Sequence, residues 1–213
     1  EEKLVQRCVE ALSVLPSGPE KTEKRKKALK LANDMVIIKH PFKMAWDIAI
    51  EWQDAENIRD LDVNVLREYY TFFPTAGLGQ VLRGFMSSEI SPFAPPPPPV
   101  QKMETTESDE SEDDDDDGGG VALDGFLTGE DRLLLMTDGI SDSGKSILAH
   151  RLMGEYYQFL EEYESVVELM RNGRRLIVEE SNRTGLKFDH SSNAITALLG
   201  TALVFYQSPK NHP

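Results

Sequence analysis

Apolar residues recur at steps of three and four along most of the chain, which is the periodicity of amphipathic helices. The pattern is clearest over residues 146–178, where two apolar stripes follow each other with only Glu161 and Glu162 between them. The first stripe consists of Leu148, Leu152, Tyr156 and Phe159, and the second of Tyr163, Val166, Val167, Met170 and Ile177. A connection this short predicts two antiparallel helices that pack as a hairpin.

The same periodicity predicts further helices on both sides of this hairpin, separated mostly by proline and glycine. They cover residues 1–15, 20–39, 42–53, 63–73, 77–88 and 193–205. The helix over 42–53 has apolar residues on most sides, Trp46 and Trp52 among them, as expected of a helix covered by neighbours on both faces. We therefore predict an all-α fold of stacked antiparallel helical hairpins, an α-solenoid.

Residues 93–122 interrupt this pattern. Five prolines at 95–99 are followed by ten acidic and no basic residues over Glu104–Asp117, and then by three glycines. Because this composition cannot bury apolar surface, we predict a disordered insert between two helical segments, 1–92 and 123–213. The polyproline run fits a spacer or a ligand of an SH3 or WW domain, and we favour the spacer.

Two residues of the insert, Thr106 and Ser111, are candidate phosphorylation sites. Each has an aspartate three residues further on, at positions 109 and 114, which is a context that acidophilic kinases favour. Phosphate groups there would add negative charge to a tract that is already acidic.

The formal net charge of -14 arises largely in this tract, and outside it the acidic residues nearly balance the 23 basic ones. Nothing in that balance requires nucleic acid as a direct ligand. No apolar run approaches the roughly 18 residues needed to span a bilayer, so we expect a soluble segment without membrane contact. The single cysteine, Cys8, excludes an internal disulfide and indicates a reducing compartment.

One stretch of the second predicted helix is basic. It contains Lys21, Lys24, Arg25, Lys26, Lys27 and Lys30. We interpret it mainly as a solvated face, with contact to RNA or to an acidic partner as the alternative. No aromatic residues are interleaved for base stacking, which disfavours RNA.

A second alternative concerns nucleotide binding. The phosphate-loop pattern GxxxxGK[ST] is matched by Gly139, Gly144, Lys145 and Ser146. This function would require Leu133–Met136 to be a strand that leads into the loop. Thr128, with Asp131 three residues on, instead predicts a helix start, and Gly139 fits at the end of that helix. We therefore expect residues 141–144 to cap the central hairpin and keep nucleotide binding through Gly139–Ser146 only as the alternative.

Other signals of chemistry are missing from the sequence. The four histidines, His40, His150, His190 and His212, are scattered without metal-ligand spacing, and no nucleophile has a base nearby. We therefore expect no catalytic activity, no bound metal and no cofactor.

The central hairpin resembles a tetratricopeptide repeat. Its small and aromatic residues at Gly154, Tyr157, Tyr163 and Gly173 have the mutual spacing of that repeat, and Leu199 and Gly200 match the Leu-Gly pair in the first helix of another. The resemblance implies that Arg151, Glu155 and Gln158 face the inner groove and are candidate partner contacts.

Several segments together resemble the large tetratricopeptide scaffold of the superkiller complex. They are DLDVNVLREYYTFFP, GLGQVLRGFMSSEISPF, HRLMGEYYQFLEEYESVVEL and YQSPKNHP. The resemblance implies a non-catalytic protein-protein interaction scaffold that holds an RNA helicase and WD-repeat subunits together, with exosome-associated factors, for 3'-to-5' decay of mRNA. It also implies a cytoplasmic location, with which an additional nuclear pool is compatible. Because the chain begins at Glu1 and ends within a repeat, we expect it to be a piece of a longer protein.

Overall fold

A computed structural model describes residues 1–93 and 127–207 of the chain. Within these ranges the regular structure is entirely helical, so the predicted all-α fold is confirmed. The helices are α1 (Glu2–Val14), α2 (Pro19–Ile37), α3 (Lys43–Glu51), α4 (Val63–Phe72), α5 (Gly77–Met86), α6 (Gly129–Asp142), α7 (Ile147–Phe159), α8 (Tyr163–Thr184) and α9 (Asp189–Gln207), with a 3-10 turn at Ile58–Asp60. The predicted insert at 93–122 lies outside the described residues except for Phe93, and so do Thr106 and Ser111.

Most consecutive helices pack against each other in the described part of the chain. The contacts join α1 to α2, α2 to α3, α4 to α5, α5 to α6, α7 to α8 and α8 to α9. Alternate helices also touch, since α7 packs against both α5 and α9. The hairpin α5–α6 is therefore covered by α7–α8, and α7–α8 by α9, as the predicted stacking requires.

The central hairpin forms where the sequence predicts it, between α7 and α8. At the end of α7 the N–H of Glu161 donates to the carbonyl of Gln158 at 3.1 Å, and the N–H of Glu162 donates to that of Tyr157 at 2.9 Å. Glu161 adopts a left-handed conformation with φ of 61°. These are the features of a Schellman motif, which ends one helix and reverses the chain within three residues.

Two hairpins repeat the same packing between a glycine and a methionine. Gly84 of α5 lies against Met136 of α6, and Gly154 of α7 lies against Met170 of α8. A Cβ added to either glycine would be 3.0 Å from the methionine Sδ and closer still to another atom of the same side chain. The methionines are fully buried, so each glycine provides the space into which the second helix inserts its side chain.

The first hairpin also contacts the end of α8, so the two helical segments form one packed body. Lys21 Nζ donates to the carbonyl of Asn182 at 3.0 Å, and Arg25 donates to the carbonyl of Gly185 at 2.8 Å. These cations satisfy carbonyls at a helix C-terminus, where the helix dipole favours positive charge. These hydrogen bonds join α2 to the end of α8, which is far away in sequence, in addition to the stacking of neighbouring helices.

Arg132 joins the two ends of the segment that is not described. Its buried guanidinium donates to Glu89 Oε2 at 2.7 Å, to the carbonyl of Ser87 at 3.0 Å and to that of Leu127 at 3.3 Å. Chain positions on both sides of residues 94–126 are thereby held at the same end of the α5–α6 pair. The length of the intervening segment therefore has little influence on how the two helices pack.

We expect removal of residues 97–121 to raise the free energy of unfolding by only about 1 kcal/mol, because a fourfold shorter connection lowers the loop-closure cost by about 0.6 kcal/mol for each halving of its length. Chemical denaturation of the two chains measures this difference. Arg132→Ala, in the intact chain, should instead lower stability by about 1–3 kcal/mol through the loss of its buried hydrogen bonds. A large loss on shortening, with a small one for Arg132→Ala, would contradict the assigned roles.

Candidate partner-binding cleft

An open cleft of about 840 Å³ lies among α1, α3, the α4–α5 connection, the α6–α7 connection and the end of α8. We call it the central cleft. Its volume falls within the range of ligand-binding sites. Apolar side chains from α1, α3, α5, α7 and the α8–α9 connection contribute to its lining, including Val9, Met44, Ile48, Leu78, Ile147 and Phe188. Its polar lining comes from α3, the α4–α5 and α6–α7 connections, and the end of α8.

Most charged groups of the central cleft are already paired with each other. Asp47 accepts hydrogen bonds from Lys43 at 2.8 and 2.9 Å and from the Tyr69 hydroxyl at 2.6 Å. Glu180 accepts from Arg183 at 2.8 Å and from the Trp52 indole at 3.2 Å. Lys145, by contrast, is exposed and forms no ion pair within the described residues.

Glu51 is the last residue of α3, and its carboxylate lies at the N-terminus of α7. The Ser146 hydroxyl donates to its Oε1, and the N–H of Leu148 donates to its Oε2 at 3.1 Å. Ser146 also accepts from the N–H of Ala149 at 2.9 Å and so is the N-cap of the helix. Burial raises the pKa of Glu51 to about 7, even though both of its hydrogen bonds act in the opposite direction.

The sequence that matches the phosphate-loop pattern has a different structure. Gly139 lies inside α6, where an added Cβ would be 2.7 Å from the carbonyl oxygen of Gly77, so the close contact between α5 and α6 requires glycine. The N–H groups of Lys145 and Ser146 both donate to the carbonyl of Ser143 rather than converging on a phosphate position. The strand required at Leu133–Met136 is a helix instead, and Thr128 caps that helix as predicted.

Two details of the capping prediction are wrong. Gly139 does not end the helix that begins after Thr128, since α6 continues beyond it. Residues 141–144 do not start the central hairpin, because α6 extends to Asp142 and Ser143 is its C-cap. The N-cap of α7 is Ser146. Gly144 and Lys145 form the link between the two helices, with nothing within 4 Å of a Cβ added to Gly144. The last residues of the pattern thus form an ordinary helix-to-helix connection.

Asp54, three residues after Glu51, supplies a second carboxylate, and this one bonds to the N-terminus of α9. Asp54 accepts from the N–H of His190 at 3.0 Å and from that of Ser191 at 2.9 Å. It belongs to the connection after α3, as do Ala55 and Glu56. Sequence reasoning missed both Asp54 and Glu51, because each carboxylate caps a helix that begins far along the chain and no local pattern identifies such a pair.

The three predicted groove residues lie on one side of α7, but their burial and their hydrogen bonds differ. Arg151 is 6% exposed and donates to the carbonyl of Ala55 at 2.8 Å, to that of Glu56 and to Glu155 Oε1 at 3.2 Å. Burial raises the pKa of Glu155 against the lowering effect of Arg151. Gln158 Oε1 is buried and accepts no hydrogen bond from the described residues. Arg151 therefore fixes the connection after α3, and partner contact by all three residues stays a prediction.

The basic stretch of α2 separates into two groups. Lys21 is buried and Arg25 half-buried, and both bond to the end of α8. The exposed lysines at 24, 26, 27 and 30 share the solvent side of α2 with Glu20, Glu23 and Asp34. Mixed charge of this kind fits the solvated face that we favoured, and the RNA contact stays a prediction.

Metal binding and membrane crossing can be considered for the described ranges. No cluster of three or more His, Cys, Asp or Glu side chains in residues 1–93 and 127–207 is arranged to hold a metal ion. None of the helices in those ranges combines the length and the apolar character needed to cross a bilayer. His150, one of the isolated histidines, is buried on α7 with Nδ1 2.7 Å from the carbonyl of Ser146, and burial lowers its pKa.

Stacked antiparallel hairpins define a helical-repeat protein of the α-solenoid class. No protein-family model matches the chain. Among curated proteins, the chain is similar to Superkiller protein 3 of Saccharomyces cerevisiae, with 30% identity over 225 aligned positions. The alignment covers 87% of this chain and 16% of the yeast protein, so the chain spans only a small part of the length of its relative. The predicted resemblance to the superkiller scaffold is confirmed.

We expect Glu51→Gln to change how stability depends on pH. The folded chain binds a proton at Glu51 more tightly than the unfolded chain does, so this group lowers the free energy of unfolding as pH rises from about 4.5 through about 7. The variant should show a smaller decline than the wild type over that range in denaturant titrations. Glu168→Gln, at an exposed position of α8, is the matched control and should follow the wild type.

We also expect no saturable binding of ATP or GTP, because the N–H groups around Ser146 are occupied and a carboxylate already lies at the α7 N-terminus. Isothermal titration of the wild type and Lys145→Ala should give the same flat result. Saturable binding by the wild type that is lost in Lys145→Ala would restore the nucleotide-binding alternative.

Proposed function

We propose that this chain is part of a non-catalytic scaffold that holds protein partners together, in the manner of the superkiller complex. The similarity to Superkiller protein 3 over 87% of the chain supports this proposal most directly. By the same resemblance the partners are an RNA helicase, WD-repeat subunits and exosome-associated factors. The process that they serve is exosome-mediated 3'-to-5' decay of mRNA in the cytoplasm.

The central cleft supports a binding role on physical grounds. Val9 and Met44 are only partly buried and offer apolar area to a partner, whereas Lys145 offers a cation that no described carboxylate neutralises. Apolar contact supplies affinity, and a charge at the rim contributes to orientation and to the rate of association. The cleft is also assembled from both helical segments, so its shape depends on the complete fold.

The test compares two charge reversals in the full-length protein expressed in its native cells. Lys145→Glu changes the rim of the central cleft, and Lys27→Glu makes the same change on the solvent face of α2. Both residues are exposed, so we expect both variants to fold, with circular dichroism as the check. Affinity purification followed by mass spectrometry then measures what each protein retains.

We expect the wild type and Lys27→Glu to recover an RNA helicase, WD-repeat proteins and exosome components. Lys145→Glu should recover at least one of them in reduced amount, because the reversed charge repels a partner group that Lys145 attracts. Recovery of none of these proteins by the wild type would overturn the superkiller-type function. Equal recovery by all three proteins would leave the scaffold intact and remove the central cleft as its docking surface.

A further inference from the structure

One hydrogen-bonded contact joins two parts of the central cleft wall. Glu51 ends α3, which forms one part of the wall, and residues 142–147 form another. The Glu51 carboxylate accepts from the Ser146 hydroxyl and from the N–H of Leu148, so it ties α3 to the start of α7. The helices against which α3 mainly packs are α1 and α2. The spacing between α3 and the start of α7 therefore depends on this contact.

The contact differs from the other charged contacts of the cleft, because Glu51 has no cation as a partner. Lys43 bonds to Asp47, and Arg183 bonds to Glu180. Asp47 lies one turn before Glu51 on α3, and the carboxylates of Asp47 and Glu180 both repel a negative charge on Glu51. An ionised Glu51 is therefore a largely buried charge beside two like charges, and its two hydrogen-bond donors are neutral groups.

The other titratable groups around Glu51 do not supply a counter-charge. They are Asp54, Tyr69, Asp142, Lys145, His150 and Arg151. Lys145 is exposed and forms no ion pair within the described ranges, and Arg151 donates to two carbonyls of the connection after α3. Burial raises the pKa of Tyr69 and lowers that of His150, so both side chains are uncharged near neutral pH. Asp54 and Asp142 have the same sign of charge as an ionised Glu51.

The protonated form of Glu51 keeps both hydrogen bonds without this electrostatic cost. Its Oε2 accepts from the N–H of Leu148 as before, and the proton on Oε1 is donated to Ser146 Oγ. Burial, together with the like charges, raises the pKa to about 7 while the contact is closed, whereas a solvated Glu51 has the ordinary value of 4.5. The closed contact therefore binds the proton more tightly, and the free energy of opening falls as pH rises from about 4.5 through about 7.

We propose that Glu51 is a proton-dependent latch of the central cleft, which holds α3 to the start of α7 when protonated and releases it when ionised. The α6–α7 link has room to move, since nothing lies within 4 Å of a Cβ added to Gly144 and Lys145 is exposed. On the other side of α3, Asp54 stays bonded to α9, so the opening is confined to the cleft. Partner access is then greater above neutral pH than below it.

This regulation rests on the central cleft as the docking surface proposed above, but the latch is tested without a partner, so either proposal can fail alone. Hydrogen–deuterium exchange of the Leu148 amide measures the latch directly, because this N–H donates to Glu51. After correction for intrinsic exchange, we expect its protection in the intact protein to fall about tenfold between about pH 5.5 and about pH 7.5. The His190 amide, held by Asp54, should keep its protection over the same range.

Two variants separate the latch from a purely structural role. Glu51→Gln retains an oxygen acceptor but does not titrate in this range, so Leu148 protection should be the same at both pH values. Glu168→Gln, at an exposed position of α8, is the matched control and should show the wild-type fall. Constant Leu148 protection in the wild type would overturn the proposal, as would an undiminished fall in Glu51→Gln. An equal fall at His190 would also overturn it, because the opening would then not be local to the cleft.

Discussion

Two carboxylates that follow one another closely in sequence hold the starts of two distant helices. Glu51 accepts hydrogen bonds from Ser146 and the N–H of Leu148, and Asp54 accepts from the first N–H groups of α9. The first turn of a helix has N–H groups without an intrahelical partner, and its dipole favours negative charge. The hairpin α7–α8 and helix α9 are therefore positioned relative to α3 by hydrogen bonds and not by apolar packing alone.

Arg151 of α7 in turn bonds to the connection that follows α3. Its guanidinium donates to the carbonyls of Ala55 and Glu56, so α7 fixes the connection from which Asp54 reaches α9. Hydrogen bonds are directional, whereas apolar burial is not, so these contacts specify one relative orientation among the many that would bury similar area. The same contacts explain the buried cation at a position where the repeat resemblance implies a groove residue.

Much of the fold follows from short-range pattern. Apolar periodicity predicts the helices within a few residues, and the two-residue break at Glu161 and Glu162 predicts the central hairpin, because those signals depend on neighbours three or four positions apart. The roles of Glu51 and Arg151 could not be predicted, since their partners lie about a hundred positions away and each residue, by its local sequence, looks like part of a solvated surface.

The phosphate-loop match shows the reverse difficulty, because a local pattern is present without the structure that it predicts. Gly139 is needed for the close contact of α6 with α5, and Ser146 is the N-cap of α7. Two unrelated structural requirements therefore produce one sequence pattern that resembles a nucleotide-binding loop.

The charged groups of the central cleft are largely satisfied within the chain itself. Its carboxylates at Asp47 and Glu180 each have a cation and an aromatic donor of their own, so a partner that approaches them must replace contacts that already exist. Such an exchange contributes more to specificity than to affinity, because the pairs broken offset the pairs formed. Affinity then has to come from the apolar area around Val9 and Met44 and from the fit of the partner to the cleft. If a partner docks in the cleft as proposed, its selection would depend mainly on shape, because the charges of Asp47 and Glu180 are already used in contacts of α3 and α8.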